Sequence, residues 1–124
     1  MIQQDYILRQ VHQLAQVLAE VLFRARADRH EDAQATLVDG LASALGVELD
    51  EVVAMPREAV VALCTSGDAL SGELALALAT LLRASDAEGA RRRALWLFEA
   101  ALDSGAAVPV DIFDTLDRLR AETE

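Results

Sequence analysis

Few residues of this chain have the type and spacing to do chemistry, and the most distinctive are three consecutive arginines, Arg91, Arg92 and Arg93. Guanidinium groups are forked donors that match the oxygens of a phosphate or carboxylate. The triplet falls in the first half of an expected helix, where the backbone dipole favours acids, so the helix itself does not account for it. Two readings follow. The arginines pair with acids elsewhere in the chain, or they contact an anionic partner, either an acidic peptide or a phosphate ligand.

The remaining candidates have plainer readings. His30, Glu31 and Asp32 carry metal-ligating groups, but consecutive positions splay around a helix start and do not converge on one ion. His12 lies at the boundary of an apolar stripe, which suits packing more than ligation. Asp5 and Arg9 stand four apart, the spacing of a local ion pair. Tyr6 reads as a packed ring with a wet hydroxyl. Glu99 with Asp103, and Asp114 with Asp111 and Asp117, share helical faces. Paired carboxylates do acid–base work only where a pocket separates their pKa values, so a solvated acidic face is expected. Cys64 lies in an apolar helix with no His nearby, the setting of a buried, inert thiol. Glycine-rich phosphate loops, the G-x-S-x-G elbow and His–carboxylate zinc spacing are all missing from the sequence. The expectation is therefore no catalytic, cofactor-binding or metal-binding residue, and no enzyme.

The totals agree with that restraint. With 124 residues the chain makes one domain, 1–124, large enough to bury a core. Ala and Leu dominate and aromatics make up 4%, which favours an all-α fold. Net charge is −10, and it is unevenly placed: residues 1–30 carry four Arg against three acids, and residues 31–88 carry eleven acids against two Arg. Such a field repels nucleic acid and anionic membrane. The chain has no Lys, which excludes Schiff-base chemistry and a P-loop lysine. A single cysteine forms no internal disulfide, and Asp5 and Arg9 interrupt any signal-peptide core, so a reducing cytoplasm is expected.

The elements that must position these residues are helices. Ile7, Val11, Leu14, Leu18, Val21 and Ala25 recur at alternating four and three, predicting one long helix over Met1 to Arg26. It would span roughly 35–40 Å, and the shorter elements are expected to pack against it. Leu8, Ala15 and Leu22 widen its apolar face. A second helix is expected from Glu31 to Leu45, stopped by Gly46, with Gly40 marking close approach of two helices. Asp50 is expected to cap a short turn, and Pro56 to open a short helix with Val60, Val61 and Leu63 inward. Another helix starts at Asp68 or Ser71. Ser85 and Glu88 have capping-box spacing for the next, which Gly105 closes. The last begins near Pro109 with Ile112, Phe113, Leu116 and Leu119 inward, and its end is expected to fray. No strand is expected.

Two resemblances accompany this pattern. The opening MIQQDYILR, continued by QVHQLAQVLAEVLF, resembles a family of small bacterial helical proteins that begin Met-Ile, two polar residues, Asp-Tyr-Ile, Leu or Met, then Arg. That resemblance implies a fold and no catalytic residue. Gly89, Ala94, Phe98 and Ala101 resemble the turn and second helix of a tetratricopeptide repeat, and Ala33, Leu37 and Gly40 repeat the spacing of the last three. This similarity implies tetratricopeptide-like helical hairpins and a protein-binding role.

The combined reading is an all-α interaction or scaffold module with a protein or peptide partner, no nucleic acid and no membrane. The alternative is a small-molecule binder using the groove between hairpins. The apolar arc on the first helix exceeds what one neighbouring hairpin covers. A two-fold homodimer is expected there, with Val17 and Phe23 as the self-association residues.

Overall fold

The structure, a computed structural model, describes residues 2–123, with side chains from Asp5 onward. It is all-α, as expected, apart from one short hairpin. Helix α1 runs Ile2–Arg26, so all of the expected first helix except Met1, which lies outside the described residues, is present. A tight turn follows, with Asp28 at φ 61, a left-handed conformation that Asp tolerates better than most residues. Helix α2, His30–Leu45, ends at Gly46, which donates its N–H to the Ala42 carbonyl and at φ 70 turns the chain out of the helix.

Two short helices come next, α3 over Leu49–Val53 and α4 over Arg57–Ala62. The capping box of α3 is built by Glu48 and Glu51, where Asp50 was the expected cap. Strands β1, Thr65–Ser66, and β2, Ala69–Leu70, form an antiparallel pair that the sequence reading missed. The two-residue connection is Gly67-Asp68, with Gly67 at φ 63. Gly-Asp is a hairpin dipeptide, and the strands were too short to show alternation.

Helix α5, Gly72–Arg83, is capped by Ser71, whose hydroxyl accepts the Leu74 N–H at 3.3 Å. Helix α6 is Ala90–Asp103, followed by Gly105 at φ 81. The expected capping box does not form. The Ser85 hydroxyl is buried and accepts the Ala87 N–H at 3.0 Å, a local turn that delays the helix to Ala90. Helix α7, Ile112–Thr123, starts three residues after Pro109 and stays helical to Thr123, where fraying was expected. It buries Ile112, Leu116 and Leu119 but turns Phe113 outward.

The helices pack serially: α1 lies between α2 and α5, α5 between α1 and α6, and α7 covers the far side of α6, which also receives α3 and α4. The centre is therefore α5, not α1. Leu74, Ala75, Leu78, Ala79, Leu81 and Leu82 are all buried, because α5 is covered on two faces where α1 keeps one open. Alanines at the α5 and α6 core positions keep these side chains small, and Ala94 and Ala101 are fully buried on α6. Gly40 marks a close approach as expected: a β-carbon there would stand 2.5 Å from both Val17 methyls. Across the array, the Gln34 side chain donates to the Ala84 carbonyl and accepts the Asp86 N–H, fastening α2 to the loop that ends α5.

Candidate functional site

Three places hold the residues in question, and the first is the arginine triplet. Helix α6 carries it to the meeting point of α7 and the α3–α4 turn. Arg91 donates to the Glu122 carboxylate at 3.2 Å, and Arg92 donates to the backbone carbonyl of Thr123. Arg93 forks onto the Met55 carbonyl through Nε at 3.1 Å and Nη2 at 2.8 Å. Its guanidinium also lies 4.8 Å from the centre of the Trp96 ring. Burial, and then the neighbouring Arg92, lower the Arg93 pKa, though a guanidinium keeps its proton throughout. All three arginines are engaged inside the chain, and two of them bind carbonyls, which no charge count can anticipate. They line an open cleft of about 810 Å³ shared with Asp86, Glu88 and Glu122, so its walls carry both signs.

The other charged candidates separate. His30 Nε2 lies 2.7 Å from Asp86 Oδ2 at an exposed site, away from any ligand cluster. Glu99 sits between Arg120 at 3.0 Å and Arg57 at 3.8 Å, tying α6 to α7 and α4. Asp117 also meets Arg120, at 3.9 Å, while Asp103, Asp111 and Asp114 are exposed. Asp5 and Arg9 are not among the ion pairs of the described residues. Among those residues no group of three His, Cys, Asp or Glu side chains could hold a metal ion.

The second place is the outer face of α1. Leu14 and Val21 are buried, and Ile7, Val11 and Leu18 are half-buried against the neighbouring helices. Seven-residue spacing sets Leu8, Ala15 and Leu22 on one line roughly 100° round the helix from Leu14 and Val21, with Ala19 and Phe23 beside them. All five are exposed, Leu22 at 42% and Phe23 at 67%. Of the two residues singled out for self-association, Val17 is taken up inside the chain against Gly40, because α2 approaches α1 closely there. Phe23 stays outside.

The third place is a cleft of about 390 Å³ between the start of α1, the end of α4 and the hairpin. Ile7, Leu63 and Leu74 make its apolar walls, and Tyr6 and Ser66 bring hydroxyls to it. Cys64 also lines it, 1% exposed, and burial pushes its thiol up to about 12. Gln10 is the polar residue that the sequence reading passed over. Ile7, Gln10, Leu14, Val17 and Val21 follow one three–four spacing, so a glutamine in that run had to be buried; it is 9% exposed. Its amide bonds to no described group, yet no sealed side-chain N or O among the described residues lacks a partner. The amide end therefore meets open space, and that space is the cleft.

Comparison with known protein families, with curated proteins and with solved structures finds no match. Among the described residues, no helix is long and apolar enough to cross a membrane.

Proposed function

We propose that this protein is a non-enzymatic interaction module of the cytoplasm whose first partner is a second copy of itself, engaged through the outer face of α1. The observation that carries this reading is the exposed apolar run of Leu8, Ala15, Ala19, Leu22 and Phe23 on a helix otherwise packed on both flanks. Antiparallel pairing centred on Ala15 sets Leu8 against Leu22 of the partner subunit and brings Asp5 toward Arg26 of the partner subunit. Parallel pairing would stack Arg26 on its own copy, so charge selects the antiparallel, two-fold arrangement. The net charge of −10 opposes association, but residues 1–30 are close to neutral, with four Arg against three acids.

Helical hairpins packed in series, with Ala94, Phe98 and Ala101 buried on α6, suit the tetratricopeptide-like reading and a protein-binding role. The likeness of the opening segment to the family of small bacterial helical proteins supports the fold alone. One free, buried cysteine suits a reducing compartment.

Light scattering after size exclusion tests the self-pairing. The expected mass at micromolar concentration is twice the 13.4 kDa of one chain. Leu22→Glu and Phe23→Glu alter exposed positions, so they should keep the fold and return the mass to that of a single chain. A wild-type mass of 13.4 kDa at every concentration would overturn the proposal.

A further inference from the structure

The cleft beside Gln10 lies on the inner side of α1, away from Leu8 and Leu22, so it is independent of self-pairing. Its composition is that of a ligand site: apolar walls, a small number of polar groups, and a volume in the range that small organic molecules occupy. Gln10 is nine-tenths buried as a residue, and its amide end, bonded to no described group, is open to the cleft. A glutamine amide presents a carbonyl and an N–H side by side, which is the complement of another amide edge.

The cleft also restricts the charge of its occupant. None of its described lining residues is Asp, Glu, Arg or His, and the buried Cys64 keeps its proton at neutral pH. A carboxylate or ammonium ligand would leave water without a counter-charge. We propose that the cleft binds a neutral, largely apolar small molecule bearing an amide-type edge (an amide, lactam or imide), with its apolar part against Ile7, Leu63 and Leu74 and its edge paired to the Gln10 amide. The site goes beyond the interaction role and does not depend on it.

The test uses the full chain labelled with nitrogen-15 and three soluble probes of one shape. Benzamide has the full edge, acetophenone has only the acceptor, and benzoate replaces the edge with a charge. Benzamide should shift the Gln10 side-chain amide and the Cys64 and Leu74 backbone resonances saturably, binding about tenfold more tightly than either other probe. Gln10→Leu, which keeps the bulk and removes the edge, should abolish that preference. Should this variant not fold, the ranking of the three probes on the wild-type chain decides alone. The proposal is overturned if benzamide causes no saturable shift at these resonances, if benzoate or acetophenone binds as well, or if a folded Gln10→Leu variant keeps the preference.

Discussion

Cys64 is the residue whose chemistry the fold changes most. Burial holds its thiol neutral up to about 12, against an ordinary value of 9.0. Below pH 9 the proton stays on in both folded and unfolded chains, and the group has no effect on the pH dependence of stability. Between 9 and about 12 the unfolded chain releases that proton while the folded chain keeps it, so stability falls as pH rises. The slope should approach roughly 1.4 kcal/mol per pH unit within that window. Urea midpoints taken from pH 8 to 11 measure it, and Cys64→Ala should flatten the curve. Because the chain has no Lys, little else in this range competes with the signal. The arginines illustrate the opposite case. Their clustering was visible in the sequence, but their acceptors at Met55 and Thr123 are backbone carbonyls supplied by elements 38 and 31 residues away.

Among the elements, the approach of α2 to α1 is decided at one position. Gly40→Ala would gain about 1 kcal/mol in helix propensity. Against that, the new β-carbon would meet both Val17 methyls at 2.5 Å, and a β-branched side chain cannot rotate both away. Overpacking of this kind costs about 1–3 kcal/mol, so the net effect should be a loss of up to about 2 kcal/mol. In a Val17→Ala background the methyl clashes are gone and only the β-carbon remains, at 3.0 Å, so the same change should cost less, and a double-mutant cycle of urea midpoints reads the coupling. Helix extents were legible because their signals are local. Gly46, Ser71 and Gly105 end or start helices through their own backbone or side chain. Ser85 misled for the reverse reason: its hydroxyl is buried by the tertiary fold and serves a turn, so the helix behind it starts at Ala90. Phe113 follows the inward spacing of α7 yet faces out, because α7 packs mainly on α6. Gln10 was legible in principle, since its spacing places it in the buried run of α1.

At the scale of the whole molecule, serial packing makes protection a matter of position in the array. Helix α5 is covered by α1 and α6, while α2 and α7 are terminal layers with one principal neighbour each. Native-state hydrogen exchange should therefore be slowest in α5 and faster, through local opening, in α2 and α7. Equal protection of α7 and α5 would mean that the array opens only as a unit. The ties of Arg91 and Arg92 to Glu122 and Thr123 fasten the outer end of α7. Most of these groups are exposed, so added salt should loosen α7 before it affects α5.

The lone thiol also lends the molecule a clock. Cys64 sits where α4 gives way to the hairpin, and its carbonyl accepts the Ser71 N–H at 2.8 Å, closing that loop onto the start of α5. Cys64 is 1% exposed even at the cleft it lines, so an alkylating reagent reaches the sulfur freely only while this seam is lifted, and each chain can be marked once. The pace of labelling in native buffer thus counts the openings of one seam as they occur, and comparison with the pace of global unfolding tells whether the seam moves by itself.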